Sequence, residues 1–350
     1  MTLSSNQSSE VPPATSARHA GLCLPLAPET VLDVMGQPHM GRFSGQLAQI
    51  DWSGLQAPYQ RSRWWKHFHH KRWQYVALAT EQLFCGIAIV DLGWTNTAFA
   101  YAFDRRLGKE VASFSQDGIP GLSCKVGDGV GEPCHFKFLR NRIDMQCHSQ
   151  LFHLNLDCGP FQIDAQFDMQ GGAPLLLAVG PIERGAVHAT QKSSGCRLRG
   201  TVKIDGKQYD LQDGVASFDY SNGLLARDTE WRWASAHDLD VGFNLQQGYF
   251  GQQENVLWLD GQLYPLGKAQ FDFDLVNPLM PWHITTDDGL LDLHFQPQGA
   301  RHENKNLLVA SSRYVQPIGT FSGWVKAHAQ ASARRIDDLV GVTEDHRSRW

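Results

Sequence analysis

The residues best equipped for chemistry lie between Ser217 and Gly261. There SFDYSNGLLARDTEWRWASAHDLDVGFNLQQGYFGQQENVLWLDG holds the densest mix of charge, amide and tryptophan in the chain. Its Thr229-Glu230-Trp231-Arg232-Trp233-Ala234 core alternates as a strand does, so Trp231 and Trp233 share one face while Glu230 and Arg232 share the other. Asp219, Glu230 and Glu254 are the acid/base candidates. A carboxylate held by arginine and walled by indole can exchange a proton, or clamp the polar head of a largely apolar ligand. Arg227 and Arg232 are the cations available to fix charge, with Trp231 and Trp233 shaping a pocket; a structural arginine–carboxylate pair inside a barrel uses the same residue types. Asn244 and Asn255, polar residues among hydrophobic neighbours on the next two strands, can orient a ligand or satisfy backbone at a strand end or bulge.

Two further groups lie downstream. Arg313 and Gln316 accompany His302-Glu303, a pair that as strand neighbours would face opposite ways and that reads as a turn. Glu344-Asp345-His346, beside Arg347, Arg349 and the terminal Trp350, places a histidine next to two carboxylates, where a proton can move near neutral pH. Upstream, Arg61 to Arg72 crowds cations, histidines and aromatics; it reads as a basic edge or short helix covering a core opening, or as a surface for phosphate, lipid headgroups or bases. Walker A, G-x-G-x-x-G, G-x-S-x-G and H-E-x-x-H motifs are all missing, which removes weight from ATP, NAD, α/β-hydrolase and zinc-protease chemistry. His135, His148, His153 and His283 are spread out without strong metal-ligand spacing, Cys134-His135 with Cys147-His148 being the only echo of a zinc site, so neither a metal nor a cofactor is expected.

The elements that must position these groups are strands. Thirty-three Gly, 11 Trp, 18 Phe and 8 Tyr in 350 residues, without long runs of helix formers, point to hairpins. LFCGIAIVDLG and its neighbours read as a β-meander in which Asp91 ends a strand before Gly93. Phe161-Gln-Ile-Asp-Ala-Gln-Phe-Asp168 alternates almost cleanly. Asp205-Gly206 and Asp260-Gly261 are hairpin turn signals. The ending ASARRIDDLVGVTEDHRSRW reads as charged with a short helix-like turn. The expected fold is all-β: two lipocalin-like antiparallel barrel or sandwich halves with few short helices, residues 21–180 and 181–350, after a disordered tail over 1–20. The site is expected on the second half, near Asp219 to Glu254.

The formal net charge of -5, from 31 basic and 36 acidic residues, gives no whole-molecule field toward nucleic acid or an anionic membrane. Seven scattered cysteines fit buried, reduced thiols. The amino-terminal residues carry no apolar h-region, and no stretch approaches the roughly 20 apolar residues of a membrane span, so a cytoplasmic protein is expected.

Lys71 to Asp104, Ser217 to Ala236, Val241 to Gly261 and Gly341 to Trp350 together resemble the domain of unknown function 2804 family, with Thr-x-Trp-Arg-Trp, Glu-Asn-x-Leu-Trp and Glu-Asp-His the most specific segments. That resemblance carries no assigned catalytic residues. In architecture alone the chain is similar to double lipocalin-like proteins that include carotenoid hydratases and natural-product cyclases, which implies a hydrophobic small-molecule partner and cofactor-free acid/base or shape control. On that reading Asp219, Glu230 or Glu254 acts as acid/base, and Arg227, Trp231, Arg232, Trp233, Asn244, Asn255, Arg313 and His346 bind the ligand. The alternatives are a non-catalytic carrier with the same pocket, and peripheral attachment to an anionic surface through Arg61 to Arg72.

Overall fold

The computed structural model describes residues 24–169, 172–306 and 311–350; the 1–20 tail lies outside them. Among the described residues there are 24 strands and a single α-helix, Arg63–His69. The strands form two antiparallel sheets, of fifteen and nine strands. The first wraps into a nearly closed barrel and the second into a half-barrel, two lipocalin-like halves. No helix among the described residues is long and apolar enough to cross a membrane.

Period-two patterning builds both sheets. In Phe161–Asp168 the side chains of Phe161, Ile163, Ala165 and Phe167 are buried while Gln162, Asp164 and Asp168 face out. At both Asp-Gly turns the two residues have positive φ, 48° and 82° at Asp205-Gly206 and 50° and 78° at Asp260-Gly261. Each closes a two-residue hairpin, pairing Ile204 with Lys207 and Leu259 with Gln262. The meander His70–Ala79, Leu83–Asp91, Asn96–Asp104 pairs in sequence order. Asp91 Oδ1 accepts the Gly93 amide at 2.9 Å, as its turn position requires.

Three elements differ from the sequence reading. The strands Val187–Lys192, Cys196–Ile204 and Gly214–Leu224 pair within the first sheet, and the second sheet begins only at Asp228, so the sheets change over at 225–227 rather than near residue 180. The carboxyl-terminal segment is not helix-like: Arg334–Arg349 is a sixteen-residue strand in the middle of the second sheet, between Asp228–His237 and Ser311–Val325. Its apolar alternation is masked because the face that would carry leucine or valine carries Glu344, His346 and Ser348 instead. His302-Glu303 is also strand rather than turn, paired with Val315 and Tyr314.

Separate apolar clusters fill the two halves. Two smaller clusters join them. Phe84, Tyr101 and Phe103 meet Ile318 and Val342, and Leu176, Ala178 and Ile182 meet Phe250, Val256 and Trp258. The six described cysteines are free, four of them buried.

Candidate functional site at the junction of the sheets

The strand registers carry two rows of side chains to the junction. In the first sheet Lys192, Asp219, Tyr75, Ala88 and Phe99 stand directly opposite one another on five successive strands. Thr190, Ser221, Trp73 and Val90 form the adjacent row on the same face, two residues along each strand. In the second sheet Trp231, His346 and Tyr314 make one row, and Trp233 stands opposite Glu344 in the next. All of these side chains except Thr190 and Ser221 line a cavity of about 140 Å³, with Tyr249, Glu254, Gln316 and Trp350 completing its wall. A second space of similar size adjoins it past Phe99 and Tyr314, reaching the buried Arg301. The guanidinium of Arg301 lies 4.2 Å from the Phe99 ring centroid and 5.2 Å from that of Tyr314, and ion-pairs with Glu303 at 2.6 Å.

At one end of the cavity a buried lysine joins two carboxylates. Lys192 Nζ contacts Asp219 Oδ2 and lies 2.9 Å from Glu254 Oε2. Asp219 Oδ1 also accepts from Thr190 Oγ1 at 3.1 Å and Ser221 Oγ at 3.3 Å. The Lys192 side chain is only 4% exposed and that of Glu254 6%. Burial disfavours the ammonium, but Asp219 and Glu254 outweigh it and hold the Lys192 pKa above its ordinary value. Glu254 moves the other way for a carboxylate that pairs with a cation: burial pushes its pKa up, Lys192 opposes and the charge of Asp219 adds. The cluster therefore has one firmly charged lysine and one carboxyl group, Glu254, displaced toward the protonated form.

On the second sheet Glu344 accepts from three directions. Trp231 Nε1 donates to Oε1 at 2.9 Å, Gln316 Nε2 donates to Oε2 at 3.0 Å, and His346 Nδ1 lies 3.2 Å from Oε1. His346 Nε2 is flanked by Ser348 Oγ at 2.7 Å and Ser312 Oγ at 2.9 Å. Gln316 in turn receives the Tyr101 hydroxyl. Gly86 opposite Tyr101 makes that reach possible, because a Cβ there would stand 2.5 Å from the Tyr101 ring. Tyr249 is buried within the field of Glu254, Asp219 and Glu344, and burial, aided by those charges, keeps its phenol protonated. Tyr75, raised chiefly by burial, is likewise a neutral donor; its hydroxyl lies beside that of Tyr101 without a well-formed hydrogen bond.

The expected residues divide. Asp219, Glu254, Trp231, Trp233 and His346 meet in the cavity, which lies between the halves rather than within the second one. Asn244 sits behind it as a brace, its Oδ1 accepting Trp233 Nε1 at 2.7 Å while its Nδ2 donates to the Glu254 carbonyl at 2.9 Å. Asn255 is spent on backbone, accepting the Gln246 amide and donating to the Gly267 carbonyl. Glu230 and Arg232 face away, as their strand parity requires. Glu230 is half-exposed and lies 3.1 Å from Arg347, and Arg232 lies 3.4 Å from Asp345. Arg313 lines an outer groove with Glu230, and Arg227 is exposed where the sheets change over. Of the basic run, Lys71 is buried and donates to the Phe68 and Leu92 carbonyls, and Arg72 bridges Asp91 and Asp128, each at 2.7 Å. Trp64 and Phe68 of the helix are exposed.

Sequence reasoning missed Lys192. Its surroundings, His188-Ala-Thr-Gln-Lys-Ser-Ser194, look like a polar edge, yet every residue of Val187–Lys192 is buried. The missed signal is a run of polar residues with no Gly or Pro to turn the chain, a pattern that suits a strand with polar partners on both sides.

Fold and cavity together define a double lipocalin-like protein with a polar-cored aromatic pocket at the junction of its halves. The chain belongs to the family described as Domain of unknown function (DUF2804), whose sequence profile matches residues 26–350. No curated protein matches it by sequence. Among solved structures it is similar to a protein from Nitrosomonas europaea assigned as AttH, at 12% identity and a TM-score of 0.53 over 84% of this chain and 96% of that one. It is similar also to CghA in its structure with Sch210972, at 10% identity and a TM-score of 0.53 over 93% and 97%. Kievitone hydratase from Nectria haematococca aligns at 9% identity and a TM-score of 0.49 over 94% and 98%. At these identities the likeness is one of fold.

Proposed function

We propose that the chain binds a largely apolar small molecule in the junction cavity and acts on it by cofactor-free acid/base chemistry. The observation that carries this reading is the Lys192–Asp219–Glu254 cluster, a buried lysine joined to two carboxyl groups and opening onto a pocket walled by Trp73, Trp231, Trp233 and Tyr249. Aromatic walls favour an apolar body, and the few convergent polar groups fix one oxygen-bearing end. Two carboxylates with different surroundings suit different tasks. Glu254, displaced toward the neutral form, is the proton donor; Asp219, held by Lys192, Thr190 and Ser221, is the carboxyl group placed to stabilise developing positive charge or take a proton back. Glu344 with His346 supplies a second proton-handling pair from the facing sheet. The likeness to CghA, solved with Sch210972, supports a small molecule as the partner.

The test starts with native mass spectrometry of protein from its own cells, followed by extraction and identification of the retained molecule. Trp231→Ala is expected to lose that molecule. Glu254→Gln and Asp219→Asn are expected to keep it while abolishing its conversion. Conversion that survives both substitutions would refute the acid/base assignment. Retention without conversion by the wild-type protein would leave a carrier, and a protein that takes up no apolar molecule would refute the pocket reading altogether.

A further inference from the structure

A different set of groups lies on the outer face of the second sheet, away from the cavity. In the strand Trp282–Thr286 the side chains of Trp282 and Ile284 are fully buried in the half-barrel core, which turns His283 and Thr285 outward. In Leu291–Asn306 the side chains of Leu291, Leu293 and Phe295 are buried, which turns Asp292 and His294 outward. The register sets His283 opposite His294 and Thr285 opposite Asp292. One donor atom from each of His283, Asp292 and His294 lies within 4.8 Å of the others. The imidazole rings are stacked, with centroids 4.6 Å apart and planes 12° from parallel.

We infer that His283, Asp292 and His294 form a binding site for a late-transition divalent cation. His283 Nε2 and Asp292 Oδ1 are 2.8 Å apart. With metal–ligand bonds of about 2.05 Å, that separation corresponds to a cis angle of about 90° at the metal, closer to an octahedral or tetragonal shell than to a tetrahedral one. Two imidazoles and one carboxylate are the donor types that copper(II), nickel(II) and zinc(II) prefer over magnesium or calcium. His294 is exposed, so a rotamer adjustment closes the remaining distance without disturbing the core. The sequence hides the site because His283 and His294 are eleven residues apart and become neighbours only by strand pairing. A cation here ties two adjacent strands together, and Leu291–Asn306 is the strand that carries Arg301 to the second space beside the cavity.

The test is calorimetric titration of the full-length, chelator-stripped protein with nickel(II), and separately with zinc(II), under reducing conditions that keep the free thiols intact. One nickel(II) per chain is expected, bound at least as tightly as zinc(II). His283→Asn, His294→Asn and Asp292→Asn are each expected to weaken nickel(II) binding at least tenfold. His153→Asn, which alters the His148–His153 ring pair elsewhere on the surface, is expected to leave it unchanged. Thermal unfolding gives the second readout: nickel(II) raises the melting temperature of the wild type and of His153→Asn but not of the other three, whose metal-free melting temperatures show that they fold. Wild-type binding that survives all three substitutions, that follows His153 instead, or that is absent at millimolar nickel(II) overturns the assignment and leaves an ordinary His283–Asp292 surface pair.

Discussion

Replacing Lys192 by methionine is the sharpest perturbation of the candidate site. The side chain is 4% exposed and has two carboxylates as direct partners, so Lys192→Met keeps the volume and deletes the cation that bonds them. Asp219 retains its hydrogen bonds from Thr190 and Ser221, but Glu254 loses the cation that opposes the carboxylate beside it. Breaking a buried ion pair by removing one partner costs about 3–5 kcal/mol, a large fraction of the roughly 5–15 kcal/mol that holds a protein folded. The sign of the pH dependence follows from Glu254. Its folded-state pKa is already raised by burial, and losing Lys192 raises it further. A raised pKa contributes stability that is present below the unfolded value of about 4.3 and is lost as pH rises through the folded value. The deficit of the variant relative to wild type therefore shrinks on acidification, by up to about 1.4 kcal/mol per pH unit while one carboxyl takes up its proton. Urea unfolding of both proteins between pH 5 and 8 measures it. Adding Glu254→Gln to Lys192→Met is expected to recover much of the loss at pH 7, because it removes the charge left without a partner. A Lys192→Met deficit below 1 kcal/mol that does not change across that range would refute the description of this cluster as buried and charged.

Two other perturbations follow from the same structure. His188 is buried and His237 half-buried, and desolvation of each ring, reinforced by the charge of Lys192, lowers each pKa to about 3. Both folded groups are depressed below the ordinary histidine value, so stability falls as pH drops from about 6.5 toward 3, by up to about 1.4 kcal/mol per pH unit for each histidine; the slope of unfolding free energy between pH 6.5 and 5 should be shallower in His237→Asn by up to that one-histidine amount. Gly86→Ala would put a methyl group 2.5 Å from the Tyr101 ring, an overpacking cost of about 1–3 kcal/mol. Calorimetry should show a lowered melting temperature, and an unchanged one would mean that Tyr101 moves aside without loss.

Much of the fold was legible where one face of a strand is apolar and the other wet. Phe161–Asp168 and the two Asp-Gly hairpins are cases in which local chemistry alone sets the structure. The opposed faces of Trp231/Trp233 and Glu230/Arg232 were legible for the same reason. What alternation could not supply was which acid on that segment meets the cavity. Glu230 lies beside Trp231 in sequence yet points to the outer groove, whereas Glu254, from the loop that follows Val241–Gly248, reaches Lys192. Lys192 and Asp219, 27 residues apart, become partners through the antiparallel pairing of their strands, a register that no short window of sequence contains.

The errors and the site share a cause. Arg334–Arg349 was misread because Glu344, His346 and Ser348 occupy positions where a half-barrel strand should be apolar, and Val187–Lys192 escaped notice because Thr190, Gln191 and Lys192 do the same in the first sheet. Each of these side chains would destabilise a core if buried alone. Each is instead met by a partner: Glu344 by Trp231 and Gln316, Gln191 by the Leu47 backbone, Lys192 by Asp219 and Glu254. Where binary patterning fails in two strands that meet at a junction, and Glu344, Gln191 and Lys192 are each met by partners while among the described residues only a few buried polar atoms such as His188 Nδ1 and Thr343 Oγ1 are left without one, the failures trace the lining of a site rather than a defect in the fold. In this chain that lining needs both sheets at once. Neither sheet supplies the whole wall of the cavity, so the site depends on the register in which the two sheets meet.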